Sequence, residues 1–509
     1  ATGLFLTHAG RKSLWGLCSA FRQEHMMKAY ESAKIGENRG RPRLWLEGFK
    51  ASLAGFLPGI RFSIRKDEKR TMLTLEQDVH GDRIVSRKLK GDKEVPVIDI
   101  NSSEVLSIFE GYDAVRVIVQ ENRIRILPLA VEIAKRERLQ RLKSKLANGE
   151  ALSCGSVSHG GGVLDHALHK GLEEAGIKTQ LAFANEIRPE LLEHTRAQND
   201  IWSADTVSLA APLQELAFDD WAMSRLPKVE ALFAGLPCSG ASVAGRAKIG
   251  AGHAEAHPEV GHLVVAFLAV IAKVNPAIIV LENVKPYAST GSMCILRNQL
   301  RDFGYSVHET VLQAQDWNAL EHRERMCMVA VTHGMQFEFE SLVRPPKVER
   351  TIAEVLDEVP EDSDLWSRMQ GLKDKEARDK AAGKNFMMQI VTAASNKCPT
   401  VTKGYSKARS RDPKLQHPSN PDLLRHFTPA EHARLKQIPT NLIAGLGMTI
   451  AHELLGQSIC YEPFRAVGRC IGKTLLNSPD SSMLNCIAQA MESSREAAIE
   501  SNDSMSLFG

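Results

Sequence analysis

The sequence has few of the features that mark a secreted, membrane-borne or zinc-stapled chain. Its nine cysteines include no CxxC pair, which argues against a zinc module and suits reduced thiols in a cytosol. No apolar run reaches bilayer length; the best stretch, Leu263 to Val274, is short and contains Lys273. The N-terminal region lacks the apolar core and small-residue cleavage site of a signal peptide. No segment repeats another. The formal net charge is only +3, so local clusters of Lys and Arg carry more information than the total. The sequence begins at Ala1 with no initiator Met, as expected of a chain whose N-terminal piece is missing or processed.

At 509 residues, 43% hydrophobic and 25% charged, the chain has the composition of an ordinary globular protein. Its length calls for roughly two to four domains. Residues 1–37 form an extension with room for one or two helices. Between Arg41 and Leu127 short alternations such as Arg43-Leu44-Trp45-Leu46, Arg61-Phe62-Ser63-Ile64, Met72-Leu73-Thr74-Leu75 and Arg123-Ile124-Arg125-Ile126 are separated by turn residues. Period-two patterning of this kind predicts a β-rich domain over 38–130. A basic helix over Val131 to Leu146 reads as a solvated linker, or else as a DNA contact, within a linker segment 131–150.

From 151 the rhythm changes. A Gly-rich turn at 155–162 leads to a helix over about 164–175 and a strand at Thr179-Phe183. Apolar strands follow at 230–234 and 277–281, the second preceded by a helix over 260–274. Strand–helix alternation predicts an α/β fold with a mostly parallel sheet covered on both faces. It breaks down over about 335–425, and helical patterns return at 428–437 and 460–476. The polar residues Ser493 to Gly509 are expected to fray.

Three segments carry chemistry. Leu232-Phe233-Ala234-Gly235-Leu236-Pro237-Cys238 is a buried strand running into a Gly/Pro turn, which presents Cys238 at the carboxyl end of the sheet, where open α/β folds place their sites. Ile278-Ile279-Val280-Leu281 ends in Glu282-Asn283-Val284 and brings a carboxyl group to the same edge. Arg323 and Arg325, two residues apart before the strand Met328-Val329-Ala330, face one side of an extended chain.

In this order and spacing the chain resembles the DNA cytosine-5 methyltransferases over about residues 152–477. Pro237-Cys238, Glu282-Asn283-Val284 and Arg323-x-Arg325 match that family's motifs, Gly456-Gln457-Ser458-Ile459 is similar to its late motif, and Phe427 to Leu435 resembles the helix before it. The resemblance implies a Rossmann-like S-adenosylmethionine-dependent methyltransferase with a catalytic domain over 151–334 and 426–480, an inserted target recognition region over 335–425, and a tail over 481–509. It implies methyl transfer from S-adenosylmethionine to C5 of a flipped cytosine in double-stranded DNA. Cys238 is then the nucleophile, Glu282 holds the base ring, Arg323 contacts the base carbonyl and Arg325 braces the site. Ser158, Gly160, Gly162, Glu186, Asp205, Pro237, Gln457 and Ser458 would bind the cofactor: Glu186 through the ribose hydroxyls, Asp205 near the adenine amino group. A cognate restriction endonuclease and a cytoplasmic setting in a bacterium, plasmid or phage belong to the same expectation, with no membrane partner. An RNA cytosine substrate, or a DNA-binding regulator with a degenerate catalytic fold, are the rival readings.

The chain departs from the family pattern at Ser158, where an aromatic is usual, at Val163, where Gly is common, and at Ser239 and Glu321, where Gln is usual. Ser242 to Pro258, with Gly245, Gly250 and Gly252, stands at the mobile loop that closes on DNA. His253-x-Glu255-x-His257 reads as a polar loop, because its spacing is not that of a zinc site. Lys403-Gly404-Tyr405-Ser406-Lys407-Ala408-Arg409-Ser410-Arg411 suits phosphate and base contacts. Arg41 to Leu127 faintly resembles SymE-like members of the AbrB swapped-hairpin group, which suggests an accessory nucleic-acid-binding or dimerising module.

Overall fold

In the computed structural model, which describes residues 26–237, 253–384, 386–407 and 409–476, the N-terminal alternations become strands. Leu73, Leu75, Val115, Val117, Ile124 and Ile126 are buried while Arg116, Arg123 and Arg125 between them are partly exposed, as the pleat requires. The chain divides into two units, Ala1–Arg136 and Glu137–Gly509. In the first, a six-stranded and a four-stranded sheet enclose one core. Its strands begin at Ala29–Lys34, inside the segment expected to be helical.

The first unit also contains a repeat that residue identities conceal. Strand Arg41–Glu47, helix Phe49–Leu53 and the hairpin Arg61–Asp67/Met72–Gln77 are followed by strand Lys93–Ile100, helix Ser103–Leu106 and the hairpin Ala114–Gln120/Arg123–Pro128. The copies pair with each other about a local twofold: Leu44 opposite Ile100 and Leu46 opposite Ile98, then Leu73 opposite Ile126 and Leu75 opposite Ile124. The expectation of no internal repeat is thereby corrected. What the copies share is chiefly the apolar pattern, because burial constrains the pattern more than the residue.

Helix Ala130–Ala147 spans the division between the units. Neither reading of its charges holds from Glu137 on. Arg138 is 1% exposed; it donates to Thr332 Oγ1 at 2.9 Å and to the carbonyls of Phe303 and Gly304 at 2.8 Å, and lies over the Tyr305 ring. Arg141 and Lys145 converge on the fully buried Glu230 at 2.7 and 2.8 Å. The basic residues here anchor the helix to the second unit.

The second unit is built on a seven-stranded sheet. Its strands are β1 Leu152–Val157, β2 Thr179–Glu186, β3 Val207–Ala210, β4 Ala231–Ala234, β5 Ile278–Asn283, β6 Tyr305–Gln313 and β7 Glu324–Thr332. The spatial order is β3-β2-β1-β4-β5-β7-β6, with β7 alone running against the others. Alternate residues feed two cores. Phe233, Ile278, Val280 and Val329 face helices Val163–Glu174 and Tyr461–Leu476, whereas Leu232, Ile279, Leu281 and Met328 face Leu263–Val274 and Gly291–Asp302. Helices Val163–Glu174 and Tyr461–Leu476 approach through Gly171 and Gly468: a Cβ on Gly171 would stand 2.1 Å from Arg465 O. The fold is the expected Rossmann-like sheet with helices on both faces. Among the described residues no helix is long and apolar enough to cross a membrane.

Residues 335–425 carry a three-stranded sheet, Ile390–Val391, Lys414–Gln416 and Leu424–Arg425, and an exposed helix Gln370–Ala381. Tyr405, expected among the DNA contacts, is instead fully buried; its hydroxyl donates to Pro413 O and accepts from Phe427 N. Around its ring lie His426, His432 and His452, with the two latter Nδ1 atoms 3.1 Å apart. Lys403, Lys407, Arg409 and Arg411 are exposed, and residue 408 is outside the described residues. The buried bidentate pair Arg425–Glu431 adjoins this cluster; Glu431 also completes the capping box that starts helix Pro429–Leu435.

Burial pulls the pKa of His426 and of His452 down to about 4. The unfolded chain therefore takes up protons between about pH 6.5 and 4 that the folded chain refuses. Stability is complete above that window and falls as pH falls through it, by roughly 1.4 kcal/mol per histidine per pH unit. A urea midpoint measured from pH 7.5 to 5 is expected to drop with acidity, and His452→Asn is expected to flatten that slope.

Candidate functional site

The carboxyl ends of β1, β2, β4 and β5 and the opposed start of β7 meet at one edge of the sheet. Because β7 is antiparallel to β5, Glu282 faces Cys327 across the ladder and Asn283 faces Met326. The register brings Arg325 beside the acid: its Nε lies 2.8 Å from Glu282 Oε1, with both side chains largely buried. Burial pushes the Glu282 carboxyl above its ordinary pKa, while the positive charges of Arg325 and Arg323 pull it back. A carboxyl so placed can gain or hold a proton near a reacting ring.

Asn283 ties the edge together. It is 1% exposed, and its side-chain amide donates to Leu236 O at 3.1 Å while its oxygen accepts from Val284 N at 2.8 Å. The turn after β4 is thereby fixed to the end of β5, up to the exposed Pro237. Cys238, Ser239 and the loop glycines Gly245, Gly250 and Gly252 lie outside the described residues. Of the His253-x-Glu255-x-His257 segment, Glu255 accepts from the backbone N–H and the hydroxyl of Ser292 at 2.6 and 2.8 Å, and so serves the start of a helix.

Arg323 does not occupy the position expected for it. It is 3% exposed; Nη1 pairs with Glu321 Oε1 at 3.1 Å and Nη2 donates to Gly456 O at 2.9 Å. The guanidinium nearest the acid belongs to Arg325, while that of Arg323 is held on the side of Glu321 and Gly456. Glu321, the departure from Gln, is itself fully buried, with Lys436 Nζ 3.6 Å from its second oxygen. Lys436 is also fully buried and has its pKa pulled down to about 7 by burial. Sequence reasoning missed Lys436; the signal was Glu321, since a buried acid in place of an amide demands a cation.

The glycine turn after β1 lies on the other side of β4. Ser158, Gly160 and Gly162 all have positive φ, at 55, 56 and 68°. His159 is buried at the turn's centre: the Trp202 indole donates to Nε2, leaving Nδ1 to meet Ser156 Oγ at 2.9 Å and Asp165 Oδ2 at 3.1 Å. Ser158 thus sits in a turn supported by a neighbouring imidazole–indole pair. Glu186, at the end of β2, accepts from Gly160 N at 2.8 Å and Arg188 N at 3.2 Å. One backbone donor reaches each carboxylate oxygen, leaving acceptor capacity for a diol. Space is open where a Gly160 side chain would project. These features fit a nucleoside ribose beside the turn.

A Cβ built on Gly235 would stand 3.7 Å from Glu282 Oε2 and 3.8 Å from Ser158 O. The acid edge and the glycine turn are therefore neighbours across a single small residue. Helix Met448–Gln457 closes the other flank, with Leu454 against Gly161 and Glu453 paired to Arg188 at 3.3 Å. Gln457 is exposed and Ser458 partly so at its end.

Asp205 does not join this group. Val207 pairs with Phe183 and Ala210 with Glu186, so Asp205 falls in the turn before the amino end of β3 and is exposed. The three residues from Val207 to Ala210 already carry it roughly 10 Å along the strand direction from Glu186. Parallel register overrules the sequence alignment there.

If Asn283 holds the turn after β4, Asn283→Ala should strand a buried carbonyl and cost about 1–3 kcal/mol. A lower midpoint in thermal unfolding is the expected result, with secondary structure unchanged in circular dichroism.

The family model described as C-5 cytosine-specific DNA methylase matches residues 166–473. Type II methyltransferase M.NlaX of Neisseria lactamica is 29% identical over 251 residues, 48% of this chain and 75% of that protein. M.Bsp6I of Bacillus sp. (strain RFL6) is 24% identical over 263 residues, 49% of this chain and 81% of that protein. With M.BspRI of Lysinibacillus sphaericus the identity is 30% over 163 residues, but the match takes in only 37% of that protein. A motif order read along the sequence, one sheet edge that gathers those motifs, and a family match over most of the second unit agree: the chain belongs to the C-5 cytosine-specific DNA methylases, enzymes that use S-adenosylmethionine to methylate carbon 5 of cytosine.

Proposed function

We propose that Cys238 is the nucleophile that adds to C6 of a cytosine flipped out of duplex DNA, with Glu282 and Arg325 receiving the base. The observation that carries this reading is the Glu282–Arg325 pair, set beside the turn that ends in Pro237. Cytosine C5 is too poor a nucleophile to take a methyl group unaided. Addition of the Cys238 thiolate at C6 makes C5 electron-rich, and Glu282 holds the proton that N3 needs as charge builds on the ring. Bound S-adenosylmethionine supplies the methyl group as an electrophilic sulfonium. Loss of the C5 proton then expels the thiolate and restores the aromatic ring. Arg325, rather than Arg323, is assigned to the base carbonyl, since it lies beside Glu282 whereas Arg323 is turned to Glu321 and Gly456 O.

The glycine turn at Ser158, Gly160 and Gly162 would receive the methionine moiety, Glu186 the ribose, and Pro237, Gln457 and Ser458 would close around the cofactor. Lys403, Lys407, Arg409 and Arg411 would meet phosphates of the target duplex, which suits their exposure. A cytoplasmic site of action and a cognate restriction endonuclease belong to the same proposal; the bacterial type II relatives support them.

The test is covalent capture. With S-adenosylmethionine and a duplex carrying 5-fluorocytosine, the protein should form an adduct that survives denaturing electrophoresis, because fluorine cannot leave as the C5 proton does. Cys238→Ala should form none, and Glu282→Gln should slow capture roughly a hundredfold. Adduct formation by Cys238→Ala would refute the nucleophile; capture on RNA in preference to DNA would refute the substrate.

A further inference from the structure

Both cations of the buried Arg323–Glu321–Lys436 cluster end on the same stretch of backbone. Arg323 Nη2 donates to Gly456 O at 2.9 Å, and Lys436 Nζ donates to Leu455 O and to Ser458 O. These carbonyls lie at or just past the carboxyl end of helix Met448–Gln457, where backbone N–H partners run out, Ser458 N reaching Leu455 O only at 3.2 Å, and where the helix dipole favours positive charge. The space is tight: a Cβ on Gly456 would stand 2.3 Å from Lys403 N. All three side chains are 3% exposed or less, so water cannot replace a missing partner. Among the described residues, Glu321 is the only carboxylate that pairs with Arg323 or Lys436.

We infer that Glu321 and Lys436 are positioning residues that act as a matched charge pair. Together they hold Arg323 and the end of helix Met448–Gln457 so that Gln457 and Ser458 stand at the cofactor flank. The inference rests on the reading of residues 456–458 as part of the cofactor site, but not on Cys238. An acid at 321 without a cation at 436 would leave a buried carboxylate oxygen uncompensated. A Gln at 321 beside Lys436 would set an amide donor against an ammonium donor. Neither substitution touches substrate; each loosens the strap that places the cofactor-side loop, and loosening one end removes most of what the other end does.

The experiment is a double-mutant cycle in the full chain, with Glu321→Gln, Lys436→Met and both together. S-adenosylhomocysteine affinity is measured by calorimetry without DNA, alongside Tm and the KM and kcat for methyl transfer. Each single substitution should weaken S-adenosylhomocysteine binding and raise KM for S-adenosylmethionine about tenfold or more, while kcat falls less than about threefold. The double variant should be no worse than the poorer single, so that the losses fail to multiply. Losses that multiply, wild-type affinity in both singles, or a lower Tm with unchanged KM would overturn the inference. Should Lys436→Met alone not fold, recovery of folded protein on adding Glu321→Gln supports the pair, and no recovery overturns it. Adduct formation by Cys238→Ala with this coupling intact would sink the catalytic reading and leave the charge pair standing.

Discussion

One constraint organises the catalytic edge: β7 runs antiparallel into a sheet whose other strands all run one way. Only that reversal lets a residue near the start of one strand meet a residue near the end of its neighbour. It is why Arg325 and Glu282, 43 positions apart in the chain by their numbers, lie 2.8 Å apart. The carboxyl ends of the parallel strands then supply the glycine turn, Glu186 and Pro237 to the same rim. Each is delivered by the buried carboxyl end of a strand, so the site stands on the core of the unit.

Much of this was legible in the residue order. The strands at 231–234 and 278–283 were visible because their apolar runs are too short for helices and end in turn-forming residues. That Glu282 and the Arg323-x-Arg325 segment come to one edge was visible because the motifs occur in one order at one spacing. The different surroundings of Arg323 and Arg325 were not. Both face one side of an extended chain, but what separates them is a burial wall made by Gly456 and Lys436, more than a hundred residues downstream. Strand register is equally hidden, and Asp205 was placed by likeness along the chain when pairing with β2 puts it at the wrong end.

Tyr405 makes a similar point. A tyrosine among basic residues resembles a nucleic-acid contact, yet its ring fills a core with His426, His432 and His452 while only the charged neighbours reach solvent. The basic helix Ala130–Ala147 misled in the same direction, since Arg138 and Arg141 spend their charge on backbone carbonyls and on Glu230. In both cases charge or polarity was correctly noticed and its destination was not. Destination is a tertiary property, set by which carbonyls and carboxylates the fold leaves without partners.

The paired copies in the N-terminal unit have a consequence for how that unit assembles. Two separate half-units meeting edge to edge would dissociate on dilution. Here the strands at 44–46 and 98–100 belong to one chain, so their encounter is intramolecular and proceeds at the millimolar effective concentration a short tether sustains. Joining the halves also releases them from sameness: a change on one copy's outer surface is no longer imposed on the other, and the unit can present two different faces from a single architecture.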